Sequence, residues 1–247
     1  MTNLIPRSAP SFLSASRSHA GLRRTSNEDR ILVRPECGLW AVADGMGGHH
    51  DGGEAADKLL DALANPLACA TGYQRLKELT GRIEQANAVM FGRNQGQTVS
   101  GATLVALLIH ETHYACVWAG DSRAYVLRDE RLGLISRDHS VVQELVDKGV
   151  LDEAGRKTHP LGHVVTRAVG VQPELVLEQR FASLRPNDVL LLCSDGLTGC
   201  LSDAEIAGAI DRDALETSAD RLLQAALRAG APDNVSLILV AERRERV

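Results

Sequence analysis

Two strand-like apolar runs in this sequence end in an aspartate that is followed at once by glycine. The first is LWAVADG at residues 39–45, and the second is VLLLCSDG at residues 189–196. An isolated carboxylate at the end of a buried strand costs free energy unless a partner compensates it. A chain with this pattern therefore has two solutions: each aspartate turns outward to water, or the aspartates collect around a cation.

Other acidic residues stand directly before strand-like runs. Glu28 and Asp29 precede ILV, and Asp233 precedes VSLILV. Glu28 and Asp233 are expected at the rim of one core, together with Asp44 and Asp195. Carboxylates brought that close repel one another unless a cation neutralises them, and an all-oxygen ligand set selects hard ions such as Mg²⁺ or Mn²⁺.

A single Asp-Gly after a strand is most often just a turn, so the metal site is predicted by the joint pattern and not by one dipeptide. We interpret Gly45 as the residue that permits a sharp turn after Asp44 and brings its own carbonyl toward the ion.

Bulk properties favour a soluble cytoplasmic protein. The net charge of −5 gives no indication of nucleic acid binding. The apolar runs are too short to span a bilayer, and the N-terminus lacks an apolar segment of signal-peptide length. Five cysteines without a C-x-x-C pair are typical of free thiols in a reducing compartment.

The apolar pattern predicts several strands joined by short turns and helices that come in pairs. Predicted strands cover residues 31–34, 39–43, 102–110, 114–119, 124–128, 174–181, 188–193 and 235–241. Helical stripes cover residues 56–67, 76–90, 141–146, 203–210 and 215–227. This order favours an α+β fold with two mainly antiparallel sheets stacked between helices.

Other kinds of site fit the sequence less well. A dinucleotide-binding G-x-G-x-x-G reading of ADGMGGHH would need glycine where His50 stands, and there is no P-loop motif. The histidines are scattered apart from the pair at 49–50, which argues against a zinc hydrolase. Cys200 has no arginine beside it, which argues against a cysteine phosphatase.

The joint pattern resembles the PPM family of metal-dependent Ser/Thr protein phosphatases, in its compact bacterial form. The matching stretches are GLRRTSNED (21–29), LWAVADGMGGHHDGGEAA (39–56), SGATLVALL (100–108), VWAGDSRAYVLR (117–128), RDHSVVQELVDKG (137–149), VVTRAVG (164–170), LLCSDGLTGCLSDAEI (191–206) and APDNVSLILV (231–240). The resemblance implies a four-layer α-β-β-α sandwich, with two mainly antiparallel sheets flanked by helix pairs. It divides the chain into a flexible arm at 1–17, a single phosphatase domain at 18–242 and a charged end at 243–247.

The resemblance also implies two tightly bound Mn²⁺ or Mg²⁺ ions and their ligands. Carried over by position, Asp44 bridges both ions, and Glu28 and the Gly45 carbonyl complete the first. Asp195 and Asp233 serve the second ion.

Further roles follow from the same correspondence. Asp29 acts behind the ligands or through a water, and Asp121 of GDSR joins Asp195 at a weaker third ion that bacterial members often bind. Arg24 clamps the substrate phosphate, although spacing alone leaves adjacent Arg23 open.

The general acid is not identified by the resemblance. Many eukaryotic relatives carry histidine where this chain has Met46, so the proton comes from elsewhere, such as a metal-bound water. His49 is the side-chain candidate.

The implied function is a Ser/Thr protein phosphatase in which a bridging hydroxide attacks phosphorus, with the ions and Arg24 stabilising the phosphoryl oxygens. The alternative is a pseudophosphatase that binds phosphoproteins without turnover; the four intact carboxylates favour the enzyme. The implied partners are phosphorylated proteins, namely a bacterial Ser/Thr kinase and its substrates, with a type VI secretion regulator as one candidate. Residues 146–163 correspond to the variable flap, which we hypothesise selects substrates. We expect a monomer that binds neither nucleic acid nor membrane.

Overall fold

Two antiparallel sheets stacked face to face form the centre of the computed structural model, which describes residues 12–47, 51–67, 71–94, 99–152, 155 and 159–243. The strands of the first sheet are, in spatial order, β1 (Phe12–His19), β11 (Val235–Glu242), β10 (Val189–Cys193), β7 (Arg123–Arg128) and β8 (Arg131–Leu134). Those of the second are β2 (Asp29–Arg34), β3 (Leu39–Met46), β5 (Leu104–His110), β6 (His113–Ala119) and β9 (Glu178–Ser183), with the short β4 (Gly101–Ala102) paired to β3.

The space between the sheets is filled by side chains from both. Trp40 and Val42 of β3 belong to the same buried cluster as Leu190 of β10 and Ile238 of β11. The strands β5 and β10 are buried on both faces, because helices cover the opposite side of each sheet. This explains why LVALLI and VLLLC read as continuous apolar runs and not as alternating ones.

Helices cover the outer face of each sheet. On the second sheet lie α1 (Asp51–Ala64) and α2 (Gly72–Arg93), whose apolar stripes share a buried cluster with β3 and β5. On the first sheet lie α4 (Asp195–Thr198), α5 (Asp203–Ala209) and α6 (Leu215–Arg228), preceded in the chain by α3 (Val141–Asp147). The predicted α-β-β-α sandwich is therefore confirmed.

A capping box begins the helix α5: the Ser202 hydroxyl accepts from the Glu205 amide, and the Glu205 carboxylate accepts from the Ser202 amide. Within the described residues, every helix is too short or too polar to cross a membrane.

Two predicted boundaries need correction. The flexible arm was assigned to residues 1–17, but Phe12–His19 form β1 and pair with β11 over eight positions. Residues 1–11 and 244–247 lie outside the described residues. The strand predicted at 174–181 starts at Glu178 and ends at Ser183, because pairing with β6 runs from Glu178 to Ser183.

Candidate active site

A cleft of about 950 Å³ opens where several strands of both sheets begin or end. The carboxylates that line it within the described part of the chain are Glu28, Asp44, Asp121, Asp195 and Asp233. The structure thus brings together the four acidic residues that the strand pattern placed at the rim, and adds Asp121 from the end of β6.

Antiparallel pairing explains how residues far apart in sequence meet here. In the second sheet, Asp29 at the start of β2 is in register with Asp44 near the end of β3, and Glu28 precedes that pair. In the first sheet, Asp195 follows β10 and Asp233 precedes the adjacent β11. Each sheet therefore contributes a strand end and a strand start to the same rim, and the second sheet also contributes the end of β6.

The glycines after the two aspartates serve close packing and not a turn, which corrects the sequence interpretation. Gly45 lies inside β3, and neither it nor Gly196 has a positive φ. A Cβ on Gly45 would stand 2.1 Å from the Gly52 carbonyl oxygen, and one on Gly196 would stand 1.9 Å from the Asn234 carbonyl oxygen. A side chain at either position would force backbone segments apart beside the carboxylates.

Gly52 at the start of α1 was missed by the sequence reasoning. A Cβ there would lie 2.5 Å from Glu28 Oε2 and 2.8 Å from the Gly45 carbonyl oxygen. These two oxygens, which the resemblance assigns to one ion, therefore converge on the same side of Gly52.

Burial and mutual repulsion dominate the electrostatics of the cluster. Burial raises the pKa of Asp44 well above its ordinary value, and the neighbouring carboxylates raise it further. Burial, followed by repulsion from Asp233, also raises the pKa of Asp195. Burial and the charge of Asp195 raise the pKa of Asp121 to about 8. The cluster thus resists carrying its full negative charge unless a cation compensates it.

The donor set fits a hard divalent cation. Asp195 Oδ1 and Asp29 Oδ1 are buried and have no hydrogen-bond partner, which is costly for a carboxylate oxygen. All five lining side chains offer oxygen, the donor that Mg²⁺ and Mn²⁺ prefer. Among the described residues, no three acidic, histidine or cysteine side chains already converge into a finished coordination group, so the carboxylates line the cleft without closing on one point.

Asp29 lies behind the lining residues. It is 2% exposed, and its Oδ2 accepts a hydrogen bond of 2.7 Å from the Ser194 hydroxyl. Ser194 Oγ in turn accepts from the Ser236 amide at 3.0 Å. Burial raises the pKa of Asp29 to about 6, while the hydroxyl hydrogen bonds oppose that rise. Asp29 therefore links the second sheet to the residue that precedes Asp195.

The two arginines before the acidic pair differ in position. Arg24 lines the cleft, and its Nη2 donates to Asp233 Oδ2 at 2.8 Å. Arg23 is exposed and is not a lining residue. Arg24, and not Arg23, therefore lies among the carboxylates of the cleft.

The predicted general-acid candidate, His49, lies outside the described residues; Met46 lines the cleft. His163 and Thr103 are among the lining residues that the sequence analysis did not single out. His163 is the last residue of the predicted flap segment and is exposed at the cleft. No sequence signal distinguished it from its neighbours. Thr103 accepts the Asp44 amide at 3.2 Å through Oγ1 and donates its own amide to the Asp44 carbonyl at 2.8 Å, which fixes the Asp44 backbone.

Comparison with known proteins gives one consistent family. The sequence profile of the protein phosphatase 2C family matches residues 16–236. Over 229 residues the chain is 37% identical to the serine/threonine protein phosphatase PstP of Mycobacterium tuberculosis. The aligned region covers 91% of this chain and 44% of PstP. The chain thus spans less than half the length of that relative. It is 30% identical to the serine/threonine phosphatase stp of Listeria innocua, covering 91% of this chain and 93% of the relative.

Solved structures agree with this result. PppA, described as a key regulatory component of T6SS in Pseudomonas aeruginosa, superposes with a TM-score of 0.88 at 38% identity, covering 95% of this chain and 99% of PppA. The catalytic domain of PstP in complex with two manganese ions superposes with a TM-score of 0.82 at 34% identity, covering 93% and 97% of the two chains.

Proposed function

The chain belongs to the protein phosphatase 2C family, and from that premise we propose that it is a Mn²⁺- or Mg²⁺-dependent serine/threonine protein phosphatase. The observation that carries the proposal is the group of five carboxylates lining one cleft, with Arg24 beside them. The relative crystallised with two manganese ions supports a centre with two tightly bound ions. A phosphoprotein-binding module without turnover is not favoured, because Glu28, Asp44, Asp195 and Asp233 all line the cleft and a pure binder would not need all four.

The proposed metal ligands come from both sheets. Glu28, Asp44, Asp195 and Asp233 would hold the two ions, together with the Gly45 carbonyl. Two such ions, when bound, supply an activated water and positive charge next to the phosphoryl group.

Three further residues complete the proposed site. Asp121 would share a third, weaker ion with Asp195, and Asp29 would orient the ligands from behind. Arg24 would bind the phosphate, since its planar guanidinium matches two phosphoryl oxygens and carries a permanent positive charge.

The substrates we propose are phosphorylated proteins of a bacterial Ser/Thr kinase pathway. Similarity to PppA supports a regulator of type VI secretion as the specific context. We further propose that the described residues act as one monomeric catalytic domain in the cytoplasm. The described cysteines, Cys37, Cys116, Cys193 and Cys200, are all free thiols, which suits a reducing compartment.

Hydrolysis of a phosphothreonine peptide after removal of metals by chelation tests the proposal. Activity should return on addition of Mn²⁺ and should be absent from Asp195→Asn prepared in parallel, which excludes a contaminating phosphatase. Measured Mn²⁺ binding without turnover in the unmodified chain would instead identify a phosphoprotein-binding module.

A further inference from the structure

The side chain of Asn234 connects the two halves of the cleft. Asn234 follows Asp233 directly and is 5% exposed. Its Oδ1 accepts the Glu28 amide at 2.8 Å, and its Nδ2 donates to the carbonyls of Ala20 and Ser26, both at 2.9 Å. The amide group thus uses both of its hydrogens and its oxygen on the segment that joins β1 to β2.

That segment, residues 20–28, carries Arg24 and Glu28. It lies between strands and has no ladder of its own, so its shape depends on contacts with other parts of the chain. An asparagine or glutamine side chain offers two donors and an acceptor on one planar group. Aspartate at the same place would present only acceptors to the Ala20 and Ser26 carbonyls.

Backbone contacts bring the same two segments together. The Leu22 amide donates to the Ala231 carbonyl at 2.9 Å. Gly21 has φ of +77°, and a Cβ there would lie 2.2 Å from the Asp233 carbonyl oxygen. The loop before β11 therefore fixes the position of residues 20–28 through contacts of both its backbone and the Asn234 side chain.

We propose that Asn234 is a positioning residue that sets the distance between Glu28 and Asp233, and so between the ligands of the two metal ions. The inference rests on the proposed function for the identity of the ions. Asn234 is itself one of the residues that line the cleft, and in this role it acts through the backbone of the segment that it holds.

Asn87 provides a matched control. It is also buried, at 2% exposure, and has the same pattern of bonds: Nδ2 donates to the carbonyls of Gln172 and Pro173, and Oδ1 accepts the Gly170 amide. It does not line the cleft. Loss of Asn87 therefore reports the general stability cost of deleting such an amide.

The experiment is a Mn²⁺ titration, followed calorimetrically, of the unmodified chain, Asn234→Ala, Asn234→Asp and Asn87→Ala. Both Asn234 variants should bind Mn²⁺ about 10- to 100-fold more weakly, the range typical for groups that orient metal ligands. Asn87→Ala should bind within about threefold of the unmodified chain while losing comparable unfolding free energy. Unchanged Mn²⁺ affinity in folded Asn234→Ala, or an equal loss in Asn87→Ala, would overturn the proposal.

A second measurement needs no variant. Hydrogen exchange of the Glu28 amide in the unmodified chain should be at least about 100-fold slower than in an unstructured peptide, because Asn234 Oδ1 holds it. Exchange at the unstructured rate would overturn the proposal even if the variants fail to fold. Because neither readout uses turnover, weakened Mn²⁺ binding in a chain without phosphatase activity would leave Asn234 in its role and reject only the proposed function.

Discussion

Arg24 and Asp233 form an ion pair across the cleft: Nη2 of Arg24 donates to Oδ2 of Asp233 at 2.8 Å. The other oxygen of Asp233 accepts the Asn234 amide at 2.8 Å. The residue proposed to bind phosphate and a residue proposed to bind metal therefore hold each other in place. Phosphate binding and metal binding are expected to be coupled at this pair.

Arg24→Ala should lower kcat/KM for a phosphothreonine peptide by about 10²- to 10³-fold, the usual loss when a group that stabilises transition-state charge is removed. Arg24→Lys should recover only part of this, since an ammonium group cannot match two oxygens at once. Arg23→Ala is the adjacent control and should stay within about threefold. Equal losses at both positions would place the phosphate elsewhere.

Asp195→Asn should abolish Mn²⁺-dependent activity and yet stabilise the metal-free protein. Burial and repulsion both oppose the charge of this carboxylate, so neutralising it should raise the free energy of unfolding by on the order of 1 kcal/mol. Urea denaturation in the presence of a chelator measures this change.

Asp188 supplies the contrasting case for that experiment. It is buried but paired, since it accepts from Arg128 Nε at 2.8 Å and Nη2 at 2.6 Å. Asp188→Asn should destabilise the protein by about 1–3 kcal/mol, because the buried carboxylate loses its charge-assisted hydrogen bonds from the partly exposed guanidinium of Arg128. A destabilised Asp195→Asn would contradict the picture of a repulsive cluster.

The metal-free protein should become less stable as pH rises. The pKa of Asp29 is about 6 and that of Asp121 about 8 in the folded state, above the ordinary value of 3.8. The folded state therefore binds more protons than the unfolded state, so the stability present below about pH 4 is lost as pH rises through both values.

Denaturation with urea between about pH 5 and pH 9 checks this sign. The free energy of unfolding should fall by on the order of 5 kcal/mol over that interval, and saturating Mn²⁺ should flatten the dependence by compensating the charges. If the stability of the chelated protein rises with pH, other groups of the protein already neutralise the charge of these carboxylates.

Two glycine substitutions should have opposite signs. Gly196→Ala places a Cβ 1.9 Å from the Asn234 carbonyl oxygen and should destabilise the protein by about 1–3 kcal/mol, with weaker Mn²⁺ binding because Asp195 moves. Gly81→Ala in α2 meets nothing within 4 Å and should stabilise by about 0.5–1 kcal/mol. Thermal denaturation of both variants measures the contrast; a neutral Gly196→Ala would mean that the two backbones separate easily.

His163→Ala should change substrate binding without changing stability. His163 is exposed and lines the cleft, so the free energy of unfolding should stay within about 0.5 kcal/mol. KM for a phosphopeptide should rise about fivefold, equivalent to about 1 kcal/mol of binding, with kcat nearly unchanged. His113→Ala, on the exposed start of β6, is the control. If His163→Ala and the unmodified chain have the same KM for each of several phosphopeptides, this segment does not select substrates.

The acidic site could be predicted because its signals are local. Each of Glu28, Asp44, Asp195 and Asp233 stands at the end or start of an apolar run, and a strand end is visible in a short window. That these strand ends meet follows from antiparallel pairing, for which the predicted fold was sufficient.

What could not be predicted depends on partners distant in sequence. β1 reads FLSASRSH and buries only Ala15, so its strand character comes from backbone pairing with β11 and not from a stripe of apolar side chains. Gly45 was assigned to a turn because Asp-Gly usually marks one, whereas its real constraint is the Gly52 carbonyl of another element. His163 carries no local signal, since its position at the cleft is decided by the path of a loop.

The pairing of β1 with β11 also has a consequence for protein synthesis. Glu28 and Asn234 are 206 positions apart, so a chain emerging from the ribosome presents Arg24 and Glu28 long before their partners exist. Long-range pairing of this kind forms late in folding, because a large loop must close first. We therefore expect the cleft to be complete only once β11 has been synthesised, because Asp233 and Asn234 directly precede that strand.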